Sequence, residues 1–310
     1  MTDQPDKTRE MHFSIRYLTR YEYDAEVVDN INSLRVRPAA NNRQRIDEFT
    51  VRLTPDARQS RHEDYFGTDV VEFEVTRPHR ELVIDVRARV TTQSQPEPSG
   101  GGWPDLLDPG YREAGSEFLL QTDDAPGHPL LTALQAEVAN QPTPLEAVML
   151  VSELISNRLE YRRGATFVDS PLTHVLDGRA GVCQDFVHLG LNLLRHSGIA
   201  ARYVSGYLYT TGNGDDDAPI ELGVESVEVD THAWIEALLP GADGEPHWVS
   251  IDPTNRGLAG ERHVKIGHGR HYLDVPPIKG VYRGDAVSSL EASVTMTRSD
   301  GASPASAARD

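Results

Sequence analysis

The chain has 310 residues, 38% of them hydrophobic and 25% charged, which is the composition of a folded globular protein of one large domain or two ordinary ones. Its formal net charge of −18 argues against a nucleic-acid partner, no apolar run is long enough to cross a bilayer, and the polar start MTDQPDKTREMHF lacks the apolar core of a secretory signal. The expectation is therefore a cytoplasmic protein with neither a nucleic-acid nor a membrane partner, and in it Cys183, the only cysteine, excludes an intramolecular disulfide and a thiolate metal cluster.

Residues 1–10 read as a polar tail. From Met11 to about residue 91 the pattern is that of half-buried strands. HFSIRYLTRYEY alternates around Phe13, Ile15 and Tyr17, and the runs FTVRLTP, VVEFEVT and LVIDVRARV follow. Tyr65 to Asp69 reads as a turn between two of them. The spacing predicts an antiparallel β domain over 11–91, a small sandwich. Residues 92–124 read as a linker or long loop, because TQSQPEPSGGGWPDLLDPG is rich in Pro, Gly and Ser, with Trp103 as an anchor.

Helices are predicted next. One covers Pro129 to Ala139. A second starts at the capping box Thr143-Pro144-Leu145-Glu146 and ends near Tyr161, with Leu145, Val148, Met149, Ile155 and Leu159 at helical spacing. A short one runs from Pro171 to Asp177 and is closed by Gly178. In GVCQDFVHLGLNLLRHSGI, Phe186, Val187, Leu191 and Leu194 share an apolar face, and Gly198 is a C-terminal stop. Cys183 therefore falls in the first turn of a helix. ARYVSGYLYT, THAWIEALL, HWVSIDPT and LEASVTMT read as strands, the middle two joined by the turn PGADGEP. The loop TGNGDDDAP, with Asp215, Asp216 and Asp217, reads as solvated. The whole of 125–297 is taken as one α+β core, and 298–310 as a disordered tail.

A lone intracellular cysteine is either a small buried hydrophobe or a nucleophile. A helix N-terminus favours the thiolate, and its free N–H groups suit an oxyanion. If THAWIEALL and HWVSIDPT pair as a hairpin, His232 and Asp252 fall near the same end of the sheet. The Asp can then orient the imidazole and stabilise its charged form.

The blocks GVCQDF, YVSGYL, HAW, DPTN and DVPPIKGVY, in this order, resemble the bacterial transglutaminase-like superfamily. RYEY, DYFG and RPH resemble the β-rich N-terminal domain of its bacterial members. The resemblance implies a papain-like, transglutaminase-like core with Cys183, His232 and Asp252 as the catalytic triad and no cofactor. It implies acyl transfer on the amide bonds of a peptide or protein substrate, with hydrolysis favoured. An amine acceptor, as in a protein-glutamine transglutaminase or peptide ligase, stays open, as does a non-catalytic partner-binding role. Thr68 and His271 depart from residues common at these places. Gln184, Asp185, Trp234 and Tyr161 are candidate substrate-binding residues, with helix capping or core packing as the competing roles for Gln184, Asp185 and Trp234. His263, His268 and His271 lie close in sequence, but their spacing fits no compact metal site, and none is expected.

Overall fold

The structure is a computed structural model that describes residues 9–122, 125–210, 226–229, 231–241 and 244–299. The acidic loop 215–217 and residues 300–310 of the expected tail lie outside it, as do residues 1–8.

The N-terminal part is β throughout: β1 Glu10–Leu34, β2 Gln44–Thr54, β3 Gln59–Glu63, β4 Asp69–Val75 and β5 His79–Gln93. Period-two alternation buries Phe13, Ile15 and Tyr17 from β1 against Leu82, Ile84 and Val86 from β5. β1 runs antiparallel to β5 from Glu10 opposite Gln93 to Glu22 opposite Glu81, and the register then shifts before Val27. Beyond this irregularity β1 takes β4 as its partner. One long strand thus pairs with β5 along its first half and with β4 near its end. β3, QSRHE, is wholly exposed, so it carries no hydrophobic pattern to read.

The stretch expected to be a linker is instead docked. It holds two 3₁₀ turns, Trp103–Leu107 and Ser116–Leu119, around α1 Pro109–Gly115. Leu106, Tyr111 and Phe118 are buried in the core of the C-terminal part. The Tyr111 hydroxyl donates to Leu238 O (3.1 Å) and accepts from Ala200 N (3.0 Å). Trp103 Nε1 donates to Gln141 O at 2.8 Å, the anchor its sequence position suggested. Apolar side chains spaced among the prolines and glycines make this segment part of the core.

α2 Pro129–Ala139 and α3 Pro144–Arg158 follow. α3 opens on the capping box, with Glu146 N donating to Thr143 Oγ1 (3.2 Å) and Thr143 N to the Glu146 carboxylate (3.0 Å). β6 Glu160–Tyr161 pairs in parallel with β7 Ala180–Gly181, on either side of α4 Leu172–Gly178. The left-handed residue that ends α4 is Arg179 (φ 46°), one place after the expected Gly178. α5 Cys183–His196 ends at Gly198, whose φ of 80° suits glycine.

The remaining strands are β8 Ala201–Leu208, β9 Ser226–Val229, β10 Thr231–Leu239, β11 His247–Asp252, β12 Gly257–Leu258, β13 His263–Gly269, β14 Ile278–Arg283 and β15 Ser288–Ser299. An antiparallel central sheet has the order β12-β11-β10-β8-β13. Ala233, Ile235 and Ala237 of β10 pack with α5 in one core. Trp234 and Glu236 alternate with them and point the other way. Tyr207, Tyr209, Val264 and Ile266 join the core of the N-terminal strands, with the rings of Phe13 and Tyr209 5.2 Å apart. The fold is α+β, as the element pattern predicts.

The expected boundary of the core at residue 297 is corrected. β14 and β15 leave the central sheet and pair with β1, Tyr17 lying opposite Val294. β1 needs a partner on the edge away from β5, and Val294 and Met296 bury their side chains in the N-terminal core. Arg298 and Ser299 continue this strand.

Gly206 is the tightest point of the central sheet. A Cβ there would lie 2.2 Å from Val264 O and 2.5 Å from the Trp234 ring. Gly206→Ala should therefore destabilise the protein by about 2–3 kcal/mol, read as a lower urea midpoint with an unchanged slope.

Candidate active site

Cys183 is the first residue of α5, half-buried, and follows Val182 in extended conformation. One carboxylate sets up this start. Asp185 Oδ2 accepts from Val182 N (2.8 Å) and from Thr166 Oγ1 (2.6 Å). Gly181 leaves room for it, since a Cβ there would lie 2.7 Å from Asp185 Cβ. Asp185 thus caps the start of α5, buried and bonded to main chain and Thr166, which is the capping role weighed for it beside substrate contact. Asp185 N and Phe186 N donate to Val182 O at 3.0 and 3.1 Å, and Cys183 sits at the positive end of the α5 dipole.

β10 and β11 pair as expected, Ile235 opposite Ile251, which brings His232 and Asp252 to one end of the sheet. His232 Nε2 donates to Asp252 Oδ2 at 2.7 Å. The Cys183 thiol lies close enough to the same imidazole to favour its charged form. Burial alone would lower the His232 pKa. The charge of Asp252, its hydrogen bond and the thiol together outweigh burial and raise it to about 10. Asp252 is 1% exposed, yet its carboxyl is held well below the usual range, because His232 and His263 offset the cost of burial.

Asp252 is held by five donors. Oδ1 accepts from Thr254 N (2.9 Å) and Asn255 N (3.2 Å). Oδ2 accepts from Asn255 Nδ2 (2.7 Å) and His263 Nε2 (3.0 Å) as well as from His232. Gly260 N donates to His263 Nδ1 at 3.1 Å, so His263 carries its proton on Nε2 and turns it to Asp252. His263 and Asn255 join the site through Asp252, and the sequence did not single out either as a site residue. Their only sequence signals were the Asn of DPTN and one member of a histidine group assessed for metal.

Comparison with known proteins places the chain in a family. The family model described as the bacterial transglutaminase-like N-terminal region matches residues 13–91, and that of the transglutaminase-like superfamily matches residues 132–253. An uncharacterised protein of Mycobacterium leprae is 34% identical over 281 residues, covering 90% of this chain and 96% of its own. The chain belongs to the transglutaminase-like superfamily. A protein-glutamine γ-glutamyltransferase of Pseudomonas aeruginosa is 30% identical over 125 residues, which cover 39% of this chain and 17% of that protein. The fold matches the crystal structure of a candidate cysteine protease from Cytophaga hutchinsonii with a TM-score of 0.70, at 23% identity over 92% of this chain and 90% of that one.

The superfamily core places the other expected residues as follows. Trp234 is buried and packs its ring against His232 and His263, with centroids 6.3 and 5.2 Å away. It is a wall of the site. Gln184 donates from Nε2 to Val168 O at 3.0 Å, tying the exposed loop of Phe167 and Val168 to the start of α5. Tyr161 is half exposed and meets Phe186 edge-on.

The three histidines read as neighbours in sequence part company. His263 holds Asp252, His268 accepts from Arg202 Nη1 at 3.0 Å, and His271 Nδ1 accepts from Leu273 N at 2.9 Å. Thr68 is buried with its side chain against Gly267. Among the described residues, His232, Asp252 and His263 are the group whose ligand atoms lie within 4.8 Å of one another. Their bonding opposes a metal there. Both imidazole Nε2 atoms donate to one carboxylate oxygen, and a ligating His263 would need to turn a bare Nε2 to the ion and a second N–H toward Gly260 N–H. No described helix is long and apolar enough to cross a membrane.

Proposed function

We propose that this protein is a cysteine-dependent amide hydrolase in which Cys183 is the nucleophile, His232 the acid and base, and Asp252 the residue that orients His232. The observation that carries this reading is the line of contacts from the first residue of α5 through His232 to Asp252. The Cys183 thiolate attacks the carbonyl carbon of an amide bond, and the oxyanion forms against the N-terminal N–H groups of α5. The C–N bond then breaks as His232 gives its proton to the leaving amine, and a thioester remains. His232 next takes a proton from water, the hydroxide forms the new C–O bond, and the C–S bond breaks to return the thiolate.

Peptides or proteins are the substrate class of the proposal. The exposed Phe167 and Val168 beside α5 offer an apolar contact for a substrate side chain. A second reading has an amine in place of water, and the relative named protein-glutamine γ-glutamyltransferase favours it. The cytoplasm is the compartment proposed, because a reducing environment keeps a lone active thiol free.

Incubation with a peptide library, with and without methylamine, followed by mass spectrometry, tests both readings. Hydrolysis gives new carboxyl termini in either case. Conversion of glutamine side chains to methylamides would transfer the assignment to the amine-acceptor reading. Cleavage that persists undiminished in Cys183→Ala would overturn both.

His263 is a positioning residue in this scheme, since it touches Asp252 and not the thiol. His263→Ala should lower turnover roughly 10- to 100-fold, less than loss of His232. His263→Gln, which can still donate to Asp252, should recover part of the loss. Equal losses in both variants would contradict the positioning role.

A further inference from the structure

A second polar centre lies on the side of β10 turned away from α5, between the central sheet and the N-terminal strands. Arg202 of β8, Glu236 of β10 and Lys265 of β13 meet there, and Arg43 reaches in from the turn before β2. They line a cavity of about 820 Å³ whose wall includes Trp248. Arg202 lies on the Trp248 ring, 3.9 Å from its centroid.

The charges inside do not balance. Glu236 is the interior carboxylate, and its Oε2 accepts from both Arg202 Nε and Lys265 Nζ, each at 2.6 Å. Arg43 has no carboxylate oxygen within 4.0 Å among the described residues, and its Nη2 donates to Ser250 Oγ at 3.3 Å. His268 does not contribute charge. Burial first, then the nearby Lys265 and Arg202, lower its pKa to about 3, so it stays neutral and accepts from Arg202. Glu97 and Glu245 line the mouth but are exposed, where solvent weakens their effect. Three cations thus face one interior carboxylate. Burial, with Arg202 and Arg43 against it and Glu236 supporting it, brings Lys265 down to about 8, and it remains largely charged at pH 7.

Unbalanced charge of this kind is costly to bury, and a bound counter-charge removes the cost. The frame is rigid: Gln95 Nε2 donates to Ser250 O (2.7 Å) and Ala259 O (3.0 Å), while Ser250 N donates back to Gln95 Oε1 (3.0 Å). We propose that this cavity binds a small dianionic oxyanion, the chemistry shared by sulfate, phosphate monoesters and dicarboxylates, between Arg43 and the Arg202–Lys265 pair. Two negative charges match the surplus of two. Guanidinium groups bind oxyanions through paired N–H donors, and the cavity has room for an organic group behind the anion. The site does not include Cys183, and it stands independently of the hydrolase reading.

Titration calorimetry of the full chain with sodium sulfate, against sodium chloride at matched ionic strength and pH 7, tests the site. One sulfate per chain should bind above the chloride background, and Cys183→Ala should bind it as the wild type does. Arg43→Gln should weaken binding at least about 10-fold, and Arg43→Lys should weaken it less. Phenyl phosphate and succinate then separate the sources: the tighter of the two names the natural ligand class. Should Arg43→Gln fail to fold, a saturable rise in Tm of the wild type with sulfate and not with chloride carries the same decision. No saturable sulfate binding by the wild type, or equal affinity in folded Arg43→Gln, would overturn the proposal.

Discussion

Cys183→Ala should lower turnover of a peptide or amide substrate by about 10⁴-fold or more, with the far-ultraviolet spectrum unchanged and Tm within a few degrees of the wild type. The size follows from the chemistry, since no other thiol exists in the chain and loss of the nucleophile removes the covalent route. The small structural cost follows from the position. Cys183 is half-buried at the first residue of α5, where alanine is a good helix former, and the start of α5 is held by Asp185 and not by the thiol. His232→Ala should cost nearly as much turnover. A fold-preserving Cys183→Ala protein that retained activity would remove the residue from the chemistry.

Asp252→Asn should have a large effect of another kind, because it acts on activity and stability together. The substitution turns one acceptor oxygen into a donor facing His232, His263 and Asn255 Nδ2. At pH 7 the loss of a buried, paired carboxylate should cost about 3 kcal/mol or more, measured by urea unfolding. His232 lies at about 10 in the folded chain, against an ordinary value of 6.5. Its stabilising effect is therefore complete below about pH 6.5 and is lost as pH rises through about 10. Asp252 behaves oppositely: its contribution is present above its ordinary 3.8 and is lost as pH falls below that value. In turnover, the alkaline limb of a bell-shaped profile should lie near pH 10, where His232 loses its proton. In Asp252→Asn the pull of the carboxylate is gone while burial remains, so this limb should move to lower pH. An unmoved limb would mean that Asp252 does not set the charge of His232.

Much of the fold was legible because its signals are local. Alternation around Phe13, Ile15 and Tyr17 announced β1, and Thr143 with Glu146 announced the start of α3. The placement of Cys183 at a helix start needed only the apolar face of Phe186, Val187, Leu191 and Leu194. What stayed hidden depends on contacts between distant segments. β15 looks like any half-buried strand, and nothing in LEASVTMT says that its partner is β1 and not the central sheet. The exposed β3 has no apolar residue to betray it. The segment 92–124 has the composition of a linker, and only the tertiary core reveals that Leu106, Tyr111 and Phe118 hold it down. At the candidate site, His232 and Asp252 were readable from a hairpin of predictable register. His263 was not, because its approach to Asp252 depends on the turn at Gly260 and on the pairing of β13 with β8. The charge centre of Arg43, Arg202, Glu236 and Lys265 draws on four separate segments and has no sequence signature at all.

The most direct test of the central claim is the reaction of the full chain with p-nitrophenyl acetate, followed by nitrophenol release and intact mass. Attack by the thiolate forms the acetyl thioester and expels nitrophenolate. One equivalent of nitrophenol should therefore appear in a burst, with one acetyl group on the peptide that contains Cys183, removable by hydroxylamine. His232→Ala should slow the burst about 10-fold or more, and Cys183→Ala should show none. A chain that gives no burst, or one whose acetylation is the same in Cys183→Ala, would contradict the account.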